Sequence, residues 1–196
     1  MARITLRDPV TMTPRERELY DLFPINLVRA MLVADPDITE AFLRQGNALQ
    51  NSALSPVLRE LTILRVAALT GCDYERHHHS PRAKQVGASD KEISAVTAGD
   101  LSALDPTQAA LLRYAEECVT KGKADVETFE AARTALGDSG VATATMLIGH
   151  YVLNAIFAEN LEVDIDQQPP DWSQADKKSR SPADEAASGG RVSHSS

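Results

Sequence analysis

Apolar positions recur at intervals of three and four residues along most of the chain, and each such run is bracketed by a helix start signal and a stop. Thr13-Pro14-Arg15-Glu16 is a capping box with proline at the first helical position, opening a helix to about Leu22. Asn26 to Ala34 reads as a second short helix. Asp35-Pro36 starts a third, with Ile38, Phe42, Leu43 and Leu49 on its apolar side. Ser55-Pro56 caps a central helix whose apolar positions run through Leu58, Leu61, Leu64, Val66 and Leu69. This helix is expected to pass through Gly71 and reach His79, because the Pro81 ring disfavours helical geometry at Ser80. Glycine there costs about 1 kcal/mol relative to alanine, which suggests close approach of another helix.

Ser89-Asp90-Lys91-Glu92 is another capping box, with Gly99 as its stop. Asp105-Pro106-Thr107-Gln108 opens a helix ending near Gly122, and Asp125 caps one that stops at Gly137. The last long helix spans about Ser139 to Asn160 and carries Val141, Met146, Leu147, Val152, Leu153, Ile156 and Phe157. The pattern therefore predicts a compact all-α bundle. It divides into an N-terminal extension (1–12), a helical domain (13–166) and a C-terminal tail (167–196). The tail is rich in Ser, Ala, Lys, Asp and Gly. It holds too little apolar surface to offset its ordering entropy, so it is expected to be disordered unless bound. Trp172 is its one candidate anchor.

Composition narrows the function classes. The 196 residues carry 20 basic and 28 acidic side chains, for a formal net charge of −8. No basic stripe stands out, so neither nucleic acid nor anionic lipid is an expected partner. No run of about 18 apolar residues and no N-terminal apolar segment is evident, which predicts neither a membrane span nor a signal peptide. Cys72 and Cys118 are too few for a disulfide scaffold. The default reading is a reducing cytoplasm with free thiols.

The candidate chemistry lies on the central helix. With Glu60 at zero on a helix advancing roughly 100° per residue, Glu75 falls near roughly 60°, His79 near roughly 100° and Cys72 near roughly 120°. An acid, a thiol, a second acid and an imidazole on one sector suit proton transfer. Glu75 and His79, four residues apart, can touch, and a carboxylate orients an imidazole and favours its protonated form. A histidine poised this way can give and take protons. Cys72 beside His79 could gain nucleophilic character, although Glu75 opposes thiolate formation. The same residues are also compatible with an ordinary amphipathic helix: a first-turn acid, a small buried cysteine and a solvated Glu–His pair. His77-His78-His79 point in three directions and are not a ready metal face, so no metal and no cofactor are expected. His150 reads as a packing or subunit-contact residue.

The stretch from Leu58 to Arg76, Leu-Arg-Glu-Leu-Thr-Ile-Leu-Arg-Val-Ala-Ala-Leu-Thr-Gly-Cys-Asp-Tyr-Glu-Arg, followed by His79, Ala83, Gly87, Ser89 and Glu92-Ile93, resembles the signature of the carboxymuconolactone decarboxylase-like family of the alkylhydroperoxidase D-like superfamily. The resemblance implies the helical fold of that superfamily, a small-molecule substrate, and homo-oligomers (dimers, trimers or hexamers) with sites partly closed by a neighbouring subunit. Glu60, Cys72 and His79 match the peroxidase branch. Glu75 stands where that branch has its second cysteine, which removes the disulfide partner and favours the decarboxylase branch, whose motif pairs a glutamate with the histidine. Tyr74 and Arg76 are then candidate substrate-binding residues. Arg76 replaces a usual aromatic, and Ile156 stands near the place of a frequent arginine.

Three functions follow as expectations. One is acid–base chemistry, such as decarboxylation or isomerisation, on a small carboxylate or carbonyl compound. His79 would be the acid or base, Glu75 its partner, Glu60 an orienting group, and Cys72 part of the lining. A second is a thiol peroxidase or oxidoreductase acting through Cys72. The third is a non-catalytic assembly or regulatory module, which would present no ligand pocket around Glu75.

Overall fold

The computed structural model describes residues 2–168, Pro170 and Trp172. Among them are eight α-helices and no strand: α1 (Pro14–Leu22), α2 (Asn26–Ala34), α3 (Pro36–Gln50), α4 (Pro56–Thr70), α5 (Asp73–Gln85), α6 (Asp90–Ala98), α7 (Pro106–Lys121) and α8 (Val126–Asn160). The start signals act as the sequence suggests. Thr13 and Glu16, Ser89 and Glu92, and Asp105 and Gln108 each form a reciprocal capping box.

Helix α4 is the axis of the bundle. Nine consecutive residues, Arg59 to Ala67, are buried, so α4 is enclosed on all sides. Ile63 and Val66 face one apolar cluster, with Leu111, Leu147 and Tyr151. Leu61 and Leu64 face another, with Ala83, Val96 and Leu112. A third cluster joins α2 to the C-terminal end of α8 and includes Cys72 and Tyr74.

The structure corrects the expected continuous central helix. Gly71 adopts left-handed geometry (φ 68°, ψ 22°) and ends α4, with the Gly71 and Cys72 N–H groups donating to Ala67 O. A side chain there would strain the cap. Cys72 is extended and precedes α5, which continues through Ser80 and Pro81 to Gln85. Proline tolerates helical φ; it removes one intrahelical donor, and the surrounding packing overrides its breaking tendency. The expected stop at Gly137 is present as a departure from helical geometry (φ 72°, ψ 171°) within α8.

Two terminal segments are tied to the bundle. Arg3 N–H donates to Leu161 O at 2.8 Å, and Arg7 Nε donates to buried Glu16 at 2.6 Å. After α8, Asp166 accepts from the Asn26 backbone N–H at 2.9 Å and from the Tyr74 hydroxyl at 2.5 Å. The expected disorder from Gln167 onward falls largely outside the described residues. Helix α8 contains an 18-residue window long and apolar enough, by length and composition, to cross a bilayer, half of it buried inside the fold. Core helices have this composition, and α8 turns His150, Tyr151 and Asn154 inward.

Candidate active site

The break at Gly71 determines how the candidate residues meet. Glu60 comes from α4, while Glu75 and His79 come from the first two turns of α5, which folds back against α4. The single helical face expected from the sequence is therefore replaced by a meeting of two helices. His79 Nδ1 lies 2.7 Å from Glu60 Oε2, and its Nε2 lies 3.2 Å from Glu75 Oε2. Asn154 on α8 donates from Nδ2 to Glu75 Oε1 at 2.6 Å. Arg59 Nε approaches the other Glu60 oxygen at 3.5 Å. Two cations and two anions thus alternate along a buried chain, which reduces the cost of placing charge there.

Burial lowers the affinity of His79 for a proton, but Glu60 and then Glu75 outweigh it and raise the pKa to about 9. The ring is therefore an imidazolium at neutral pH, with each N–H directed at a carboxylate. Such a group is suited to donating a proton or neutralising a developing oxyanion.

Glu75 and His79 face a cavity of about 470 Å³, within the range of small-molecule sites. Its apolar walls come from α1, α2 and α3, with Phe23, Leu27, Met31 and Phe42 among them. Glu60 is not on the wall; it supports His79 from behind.

The other expected site residues are placed differently. Tyr74 reaches the cavity, but its hydroxyl is used structurally, accepting from Leu27 N–H at 3.1 Å and donating to Asp166. Arg76 is a correction. It lies exposed beside Asp73, at 2.7 Å, and does not line the cavity. Cys72 is another. It is buried outside the cavity in the cluster joining α2 and α8. Burial, with contributions from the Glu75 and Glu159 charges, pushes its thiol up to about 12, whereas a Glu75 backbone contact partly opposes the rise. Both cysteines are free, and they pack in different clusters.

Sequence reasoning missed the contribution of α8. His150 is a cavity residue, stacked on Phe42 with centroids 4.2 Å apart and 3.0 Å from Gln45 Oε1. Gly46 permits that approach, since a Cβ there would lie 3.3 Å from His150 Nε2. Tyr151 meets the His79 ring edge-on at 5.1 Å. Buried polar residues within an apolar helix were the available signal. His78 faces the cavity and lies 3.3 Å from Asp166, whereas His77 is exposed. Among the described residues, no group of three or more His, Cys, Asp or Glu side chains is arranged to hold a metal.

Residues 36–117 match the family model described as the Carboxymuconolactone decarboxylase family. This segment, less than half of the chain, is similar to that family. It contains Glu60, Glu75 and His79 but excludes α8, so the family segment supplies only part of the cavity. No curated protein matches the sequence. Among solved structures, the core of an alkylhydroperoxidase, a peroxidase-related protein from Ralstonia eutropha JMP134, has a TM-score of 0.72 at 20% identity, over 85% of this chain and 93% of that one. A protein of unknown function from Agrobacterium tumefaciens has a TM-score of 0.65 at 21% identity, over 69% and 94%. A debrominase in complex with 2,3,4-tribromopyrrole has a TM-score of 0.68 at 14% identity, over 90% and 99%. At these identities the likeness is one of fold, the all-helical alkylhydroperoxidase D-like type.

Proposed function

We propose that this chain is an enzyme that moves a proton on a small, largely apolar substrate bearing a carbonyl or carboxylate group, in a decarboxylation or isomerisation. The observation that carries this reading is the His79 ring, held at both nitrogens by carboxylates beside a cavity of about 470 Å³. Glu75 is the carboxylate on the cavity wall that touches His79 and is the base that removes a proton from carbon. Asn154 fixes its outer oxygen, so that the acid is aimed as well as charged. The His79 imidazolium neutralises negative charge as it develops on the substrate oxygen, and Glu75, now protonated, returns the proton to carbon. Glu60 keeps the ring protonated and correctly rotated, as a positioning residue.

Two alternatives have less support. A thiol-dependent reaction at Cys72 lacks a reactive thiolate in the cavity. A non-catalytic module is expected to offer no pocket around Glu75, whereas one is present.

The test is deuterium exchange at carbon, followed by NMR in D₂O with a panel of small keto acids and unsaturated lactones. The chain should catalyse exchange on members of this panel. His79→Gln and Glu75→Gln should each lower the rate by about 10²–10⁴. Undiminished exchange in His79→Gln would overturn the assignment, and an inert wild-type chain would overturn the substrate class.

A further inference from the structure

The only tryptophan in the chain is found in the cavity. Trp172 follows α8 by twelve residues, beyond the point where Asp166 is bonded to Asn26 and Tyr74. Six residues of extended chain reach about 20 Å, so this anchor keeps the indole close to the cavity at high effective concentration. The ring lies 5.0 Å from Phe23 and 5.1 Å from His79, centroid to centroid, and Arg82 Cζ stands 5.5 Å from its centre. An aromatic wall and two cationic groups therefore surround one flat π-system, an arrangement that attracts aromatic faces. The indole Nε1 is buried without a hydrogen-bond partner. An unpaired buried donor weakens docking, so the indole fits the position in shape but not in polarity. A ligand without that N–H avoids this cost.

We propose that Phe23, His79 and Arg82 form an aromatic-ring subsite, that Trp172 is its tethered occupant, and that a small ligand with a flat aromatic ring displaces it. The ring of such a ligand replaces the indole against Phe23 and beside His79. Trp172 is then a competitor built into the chain, and it yields to ligands of the right flatness. The assignment rests on the contacts of Trp172 and holds whether or not His79 transfers protons.

Because Trp172 is the only tryptophan, its fluorescence reports this contact directly in the full chain. Acrylamide should quench it at least about threefold less than free N-acetyltryptophanamide, as expected for a sheltered ring. Adding benzoate should raise acrylamide access in a saturable way, while cyclohexanecarboxylate, of equal charge but not flat, should leave it unchanged. By calorimetry, Trp172→Ala should bind benzoate at least about tenfold more tightly than wild type, because the competing occupant is gone. Quenching equal to that of the free amino acid derivative overturns the docking. Equal responses to the two acids overturn the aromatic subsite, and equal benzoate affinity in Trp172→Ala and wild type overturns the competition. If Trp172→Ala does not fold, the two quenching experiments on wild type decide the matter alone.

Discussion

Two buried histidines face the same cavity and differ in charge. Burial lowers the proton affinity of both. His79 has Glu60 on one nitrogen and Glu75 on the other, and its pKa rises to about 9. His150 has Phe42 against its face and the neutral amide of Gln45 at Nδ1. Burial, assisted by the positive charge of His79 and only partly opposed by Glu75, lowers its pKa to about 4. Depth in the fold therefore does not decide which imidazole is charged; the ionic partners do. One wall of the cavity is a fixed cation between two anions, and the other is a neutral aromatic surface. The first suits proton transfer and the second suits holding an apolar body.

The largest effect expected from disturbing this contrast is on folding. Glu60→Leu strips His79 of its nearest carboxylate and leaves Arg59 facing an apolar side chain. Removing one partner of a buried ion pair costs about 3–5 kcal/mol, which urea denaturation should show; a loss under about 1 kcal/mol would mean that Glu60 is not engaged as described. Next is the response to pH. The His79 pKa is higher in the folded chain than in the unfolded one, so its stabilising contribution is complete below about pH 6.5 and lost as pH rises through about 9. His150 is the reverse case: its pKa is depressed, so its contribution is present above about 6.5 and lost as pH falls through about 4. Denaturation of wild type, His79→Gln and His150→Gln across pH should flatten the alkaline limb in the first variant and the acid limb in the second. Glu75→Gln should lower the His79 pKa by about 1–3 units while the fold persists, read from the imidazole NMR shifts. The smallest effect is at Cys72. Its thiol should resist iodoacetamide at pH 8 in the folded chain and react once urea is added; rapid alkylation of the folded protein would restore the thiol reading.

Much of the fold was legible because helix ends are encoded locally. Thr13, Ser89, Asp105 and Asp125 each cap the helix that their sequence suggests. The break at Gly71 is hidden in the sequence because the chain there satisfies two patterns. The apolar period runs up to it, and glycine is tolerated within a helix at a modest cost. Only the packing of α5 back onto α4 selects the left-handed conformation. The consequence for the site was large. Glu75 and His79 pair through local spacing, which sequence can show, whereas Glu60 reaches His79 across a turn and Cys72 is carried away from it. Asn154, His150 and Trp172 are 71 or more residues from His79 along the chain, and no local pattern links them to it. Arg76 follows the signature directly, but its place on α5 is solvent-facing.

The charge of His79 is best measured by NMR of the full chain, with ¹⁵N-labelled histidine titrated between pH 5 and 10. Both ring nitrogens of His79 should keep imidazolium shifts through pH 7.5 and change near pH 9, while His150 remains neutral throughout. A His79 ring already neutral at pH 7 would contradict the paired-carboxylate site and the proton-transfer function proposed from it.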